Sequence, residues 1–471
     1  MLFPTIQFAL FFVVVLTANW LLLPHRRRWQ WFMLGASYFF YGAWDWRFVF
    51  LIVASTLINQ MAAGAIARSG DDERRRRLAV GAAVVANLGI LGWFKYYGFF
   101  VASLLNLFGS MGIELPVPLL EVTLPVGISF FTFQALSYVI DIYRRKQEQA
   151  PLLDFAVYLA FFPQLVAGPI VRSSEFLPQM HSPKDPRRVD ASRAFGLIAG
   201  GLFKKVVVAN TLAGAIVDPV FASPGQFSAL EVLMAVYGYA VQIYADFSGY
   251  TDIAIGVALL MGFRFPDNFN SPYTALSIQD FWRRWHMTLS RWLRDYLYIP
   301  LGGNRGGRAA TYRNLMITMI LGGLWHGAAW TFVLWGTFHG AVLAWERWRA
   351  ESLGERTLVD SPARRAGRRL ITFHLVCLGW VLFRADSMSR VGELLGRLTD
   401  WGPAPAVTPV VVALIAGGIG VQFVPGDLRG RLLAAFSRLR PIAATAALGV
   451  FLLILDGLGP EGVAPFIYFQ F

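Results

Sequence analysis

What most constrains this chain is a run of apolar segments, each about as long as a helix needs to be to cross a bilayer, recurring from end to end. They fall at about 4–23, 29–45, 48–67, 78–108, 124–142, 194–220, 229–262, 313–325, 327–346, 370–385, 405–424 and 441–458. Basic clusters or Gly/Pro breaks separate them. Hydrocarbon offers the backbone no hydrogen-bond partner, so segments of this length are read as helices; a barrel strand needs only about 9–11 residues. The expected class is therefore all-α: a polytopic integral membrane protein with about 11–13 transmembrane helices plus re-entrant or interfacial helices. Only 15% of the 471 residues are charged, against roughly 25% in soluble domains. Length alone would suggest several soluble domains, but hydropathy favours one membrane domain over 1–471.

The net charge of +13 is spread over short loops at 25–28, 68–77, 143–149, 171–193, 263–313, 347–369 and 426–440. Putting these loops on the cytoplasmic side gives a consistent alternation with both termini outside, and no reason to invoke nucleic acid. Residues 152–170 break the alternation: they are apolar, yet both flanking loops are basic. Pro163 and the Gly168–Pro169 pair would interrupt a helix there, so a re-entrant or surface-lying element is expected. Cys377 is the sole cysteine, which excludes an intrachain disulfide.

Chemistry concentrates in three stretches. Residues 321–330, LGGLWHGAAW, hold His326 inside an apolar, glycine-rich run with no charged residue from 314 to 344. A polar group buried without a partner costs roughly 2–7 kcal/mol, so an intramembrane histidine is a functional candidate. Gly322, Gly323 and Gly327 would let the backbone approach a substrate. Residues 280–290, DFWRRWHMTLS, place Trp282, Trp285, His286 and Leu289 on one face of a continuous helix, with Arg283, Arg284, Arg291 and Arg294 largely around the other side. That pattern also suits an interfacial helix with aromatic and arginine anchors. Residues 246–256, DFSGYTDIAIG, put Asp246 and Asp252 in one apolar run, with Gly249 permitting a break between them. Either the two carboxylates form a proton relay, or they are held by nearby hydroxyls and helix-end amides.

His339 and His374 add further intramembrane imidazoles, but no pair has the i, i+4 spacing of a zinc helix, and no metal is expected. P-loop, dinucleotide and nucleophile-elbow motifs are missing too. What remains is general-base chemistry: a neutral imidazole takes a proton from a hydroxyl as it attacks an activated carbonyl. Desolvation disfavours the imidazolium and holds the ring in its base form. A proton-coupled transporter or flippase is the non-enzymatic alternative.

Five stretches together resemble the membrane-bound O-acyltransferase family, in its bacterial alginate O-acetyltransferase branch. They are 124–134 (LPVGISFFTFQ), 162–170 (FPQLVAGPI), 246–256, 280–290 and 324–327 (LWHG), with the core motifs lying within about 120–350. Helices at 370–458 follow, and the aromatic tail 465–471, PFIYFQF, is similar to the ending of alginate and peptidoglycan acetyltransferases. The resemblance implies a helical fold around a central tunnel, in the inner membrane of a bacterium. It maps the family's invariant histidine onto His326 and the second motif histidine onto His286. It implies an acyl thioester donor such as acetyl-CoA, used as co-substrate without a bound cofactor. It further implies a polysaccharide acceptor and an extracytoplasmic partner acyltransferase. Arg283, Arg284 and Arg291 are candidates for donor phosphates, and Trp285, Trp325, Asp246 and Ser248 for the tunnel lining. Tyr468 is a candidate acyl carrier, or else an aromatic anchor for the tail at the outer interface. Within the family the cargo and acceptor stay open: acetyl on alginate, peptidoglycan or cellulose, or D-alanyl on teichoic acid. Counting charges puts His326 toward the outer half and His286 on the cytoplasmic approach, along one path rather than in one cluster.

Overall fold

The structure, a computed structural model, describes residues 1–471 except 121, 167, 354–360, 427, 429, 430, 432, 433, 436–440, 459–466 and 468–471. Among the described residues there are helices and turns and no strand, as the hydropathy requires. Among the described residues, five helices are long and apolar enough to cross a membrane: Trp46–Arg68, Glu73–Ser110, Ala191–Ala222, Ala229–Leu260 and Pro362–Arg384. Ile6–Leu22, Ile128–Tyr143, Pro409–Phe423 and Ala446–Leu455 are shorter apolar helices. The outer faces stay greasy: Ile6 is 80% and Leu10 66% exposed, as suits side chains that meet lipid rather than water.

The chain forms two compact units, Met1–Val189 with Ala258–Phe265, and Asp190–Val257 with Pro266–Phe471. In the first, helices Val49–Arg68 and Glu73–Leu91 are joined by reciprocal amide hydrogen bonds, Asn59 to Asn87 at 3.1 Å and Asn87 to Asn59 at 2.9 Å. Such pairs satisfy polar groups that hydrocarbon would strand. Residues 152–170 form two short helices, Leu152–Ala160 and Phe162–Leu165, both buried. Nine residues rise only about 14 Å, half of a bilayer core, so neither helix crosses alone. They do not lie on the surface either. Asp154 anchors the element from inside, accepting from Arg26 at 2.8 Å and Gln30 at 2.5 Å, with His181 at 3.0 Å. Gly127 closes the same region. Its φ is +77°, and a methyl group there would sit 2.5 Å from the Leu165 carbonyl oxygen.

The second unit is built on helix Ala229–Leu260, 32 residues of which the most apolar stretch is 94% buried. This helix is unbroken through Gly249, where the sequence permitted a break. The glycine serves packing instead. A methyl group at Gly249 would lie 2.8 Å from the Gly201 carbonyl oxygen, one at Gly201 would lie 2.6 Å from the Gly249 oxygen, and one at Gly256 would lie 2.7 Å from the Ala194 oxygen. The backbones of Ala191–Leu202 and the central helix therefore touch, as small residues allow in membranes. Beyond Leu202 the chain widens into a π turn, Phe203–Ala209, carrying Lys204 and Lys205 to the central helix. A second close pair is the hairpin of Gly307–His326 and Trp330–Leu353.

Gly249→Val is expected to destabilise by about 3 kcal/mol, the upper end of overpacking costs because the obstacle is backbone. Thermal unfolding in detergent checks this. Gly392→Ala, with open space around the new methyl group, should stay within about 1 kcal/mol of the parent.

Candidate active site

His326 is the last residue of its helix and is 3% exposed. Gly327 turns extended, and the return helix begins three residues later at Trp330. The hairpin closes tightly because its contact residues are small: a methyl group at Gly323 would be 2.2 Å from the Phe332 carbonyl oxygen, and one at Gly336 2.3 Å from that of Met319. A methyl group at Gly327 would strike the Phe332 ring at 2.0 Å, and one at Gly322 would reach Leu293 at 3.2 Å. Gly323 and Gly327 admit the hairpin partner and Gly322 admits Leu293 of the helix Met287–Leu293, so all three face the protein itself rather than a substrate, which corrects the expectation for 322, 323 and 327. Aromatic edges surround the imidazole, with ring centroids of Trp325 and Trp335 at 5.1 Å and Phe383 at 5.2 Å.

His286 arrives from a different kind of backbone. The continuous helix expected over 280–290 is two short ones, Ile278–Trp282 and Met287–Leu293, and His286 caps the second with φ +41° and ψ +54°. A non-glycine residue in that region costs about 1–3 kcal/mol and persists where its surroundings over-determine it. Asn268 does so here. Its carbonyl accepts Met287 N–H at 2.9 Å, while its side-chain Oδ1 accepts Thr288 N–H at 3.1 Å and the Thr288 hydroxyl at 2.8 Å. Because a backbone N–H only donates, the Asn268 atom in this position is the oxygen. His286 Nδ1, 3.1 Å from the same oxygen, must then be the protonated nitrogen, which makes Nε2 the basic one. Asn270 N–H to Arg284 carbonyl at 2.9 Å completes the clamp.

The two imidazoles meet, with ring centroids 6.5 Å apart. Trp325 touches both, at 5.9 Å from His286, and Phe247 of the central helix lies edge-on to His286 at 4.7 Å. The histidines thus form one cluster, not separate stations on a path. Charge counting orders loops, but the broken segment folds His286 back into the unit. His339 adjoins the cluster through Trp335 at 4.9 Å, and His374 pairs with the Tyr237 hydroxyl at 2.7 Å. Among the described residues, no three of His, Cys, Asp and Glu gather as a metal would need.

The other candidate residues scatter in role. Trp285 is a packing residue, 1% exposed and stacked on Phe281 at 5.5 Å. Arg284 braces the turn through Asp280 at 2.8 Å. Arg283 is exposed and Arg291 half-buried. Asp246 is ion-paired with Lys205, and Lys204 donates to Ser248 at 2.9 Å and Asp252 at 2.5 Å. Each carboxylate therefore meets a lysine, a partner not expected from the sequence, and Asp246 also accepts the backbone N–H of Ile467 at 3.0 Å. Two adjacent lysines inside the apolar run 194–220 were the readable signal for this, opposite two aspartates in 229–262. Asn268 and Phe383 carried no such signal. Tyr468 lies outside the described residues.

Set beside known proteins, the family model described as MBOAT, membrane-bound O-acyltransferase family, matches residues 78–352. A probable alginate O-acetylase of Pseudomonas aeruginosa is 42% identical over 408 residues, covering 85% of this chain and 75% of that relative. A peptidoglycan O-acetyltransferase of Helicobacter pylori is 39% identical over 392 residues, covering 78% and 72%. A teichoic acid D-alanyltransferase of Bacillus subtilis is 28% identical over 277 residues, covering 55% and 68%. With its long apolar helices and this match over more than half its length, the chain is a multi-pass membrane O-acyltransferase and belongs to the membrane-bound O-acyltransferase family.

Proposed function

We propose that this enzyme moves an acetyl group from a cytoplasmic thioester, acetyl-CoA, to an exported alginate-like polysaccharide, with His326 as the general base. The observation that carries the reading is the pair His326–His286, 6.5 Å apart in an aromatic enclosure at the tip of a glycine-closed hairpin. In the acyl-transfer step His326 takes the proton of an acceptor hydroxyl while its oxygen attacks the thioester carbonyl. The carbon–sulfur bond breaks, and the thiolate leaves with the proton that the imidazole returns. The enclosing rings exclude the water that would compete as nucleophile. His286 contributes Nε2 as an acceptor on the donor side, its tautomer set by Asn268. Exposed Arg283 and half-buried Arg291 would meet donor phosphates.

The polysaccharide acceptor follows from what the relatives are called, alginate O-acetylases and a peptidoglycan O-acetyltransferase. The resemblance of the motifs and of the aromatic tail further suggests a bacterial inner-membrane location and an extracytoplasmic partner acyltransferase that hands the group to the polymer. Tyr468 remains the candidate to carry it there. Peptidoglycan is the second acceptor to test. Mass spectrometry of acetyl esters on the exported polymer and on peptidoglycan from a deletion strain decides between them, because only the true acceptor loses its esters.

His326→Ala should lower transfer by roughly 10²–10⁴-fold while leaving the protein folded in the membrane. Retained acetylation in that variant ends the general-base assignment. Asn268→Leu removes the acceptor that fixes the His286 tautomer. Its kcat should fall about tenfold or more with the donor KM little changed, alongside a stability loss of about 1–3 kcal/mol from stranded donors. Steady-state kinetics with thermal unfolding checks both.

A further inference from the structure

Asp246 on the central helix divides its carboxylate between two distant regions of the chain. Oδ1 meets the Lys205 ammonium, and Oδ2 accepts the backbone N–H of Ile467 at 3.0 Å, a residue 221 positions further on. All three groups are interior, with Asp246 3%, Lys205 1% and Ile467 3% exposed. A buried ion pair is rarely more stabilising than apolar side chains of the same volume, so packing alone gives no reason for one here. Presenting an ionised acceptor to a backbone N–H does give one. The Lys205 ammonium lies against Oδ1, and hydrogen bonds to a carboxylate in such a pair are stronger than those between neutral groups.

The location matters as much as the bond. Phe247, the next residue of the helix, packs its ring against His286 at 4.7 Å. The attachment point of Ile467 is therefore one residue along the helix from the histidine enclosure. We infer that the Lys205–Asp246 pair is a docking site for the chain's own C-terminal segment, gripping it by the backbone N–H of Ile467 one helix position from Phe247. Asp246 and Lys205 are then positioning residues. That the docked segment is needed for transfer rests on the acyl-transfer reading; the docking itself does not.

The protein suits a thiol probe, since its one cysteine, Cys377, is buried. Full-length Ile467→Cys keeps the N–H and places the thiol in the dock, so maleimide labelling in detergent should be slow. Adding Lys205→Met with Asp246→Leu preserves volume but removes the acceptor. Losing one charge-assisted bond shifts the docked-to-released ratio by roughly ten- to a hundredfold, so labelling should quicken at least tenfold. Equal rates with and without the pair overturn the dock. A purely structural pair predicts that the apolar replacement is as active as the parent, whereas docking predicts lost transfer with the folded protein retained. Ile467→Pro removes the N–H, and Ile467→Ala truncates the same buried side chain but keeps the N–H. Transfer should fall tenfold or more in the proline variant and largely survive in the alanine one. A proline variant as active as the alanine variant overturns the segment's role in transfer. The labelling needs no substrate, so it reads the same whether or not acetyl transfer is the reaction.

Discussion

A polar group carried into the apolar interior of a membrane protein has to find its partner within the protein, because lipid offers none. Much of this structure follows from how that is done. In the first unit, paired asparagines at 59 and 87 join two helices, and Asp154 gathers Arg26, Gln30 and His181 around a buried, broken element. In the second, two lysines in a π turn meet two aspartates of the central helix. Asn268 holds His286 in a left-handed conformation with its tautomer set. Each device fixes a backbone position as it satisfies a polar atom, so the polar inventory doubles as the frame of the candidate site.

Close backbone approach is the second requirement, and glycine supplies it. Without Gly201 and Gly249 in contact, the lysine-bearing π turn would stand off the central helix and its ammonium groups would miss the carboxylates. Without Gly323 and Gly336, the hairpin would splay and His326 would leave its aromatic enclosure. The site is thus held by contacts made at some distance from the reacting atoms, where a single methyl group is enough to push neighbouring helices apart.

Much of this was readable in advance. Long apolar runs made an all-helical membrane protein the only economical class, and an uncharged stretch around His326 marked that residue on cost alone. Other features depart from the local pattern for definite physical reasons. Gly249 permits a helix break because glycine is flexible, yet the helix runs on and the missing side chain serves backbone contact. The spacing of 280–290 is helical, but hydrogen bonds donated to Asn268 by Met287 and Thr288 hold His286 in a left-handed turn there. Tertiary bonds of that sort leave no trace in periodicity.

The sequence by itself determined fold class, membrane residence, the histidines and the family-like motifs, since these depend on composition and short-range pattern. Tertiary structure decided that His286 and His326 share one cluster, that Lys204 and Lys205 face Asp252 and Asp246, and that Ile467 reaches Asp246. Those pairings join residues tens to hundreds of positions apart, and they exist only once the backbones have closed to contact distance.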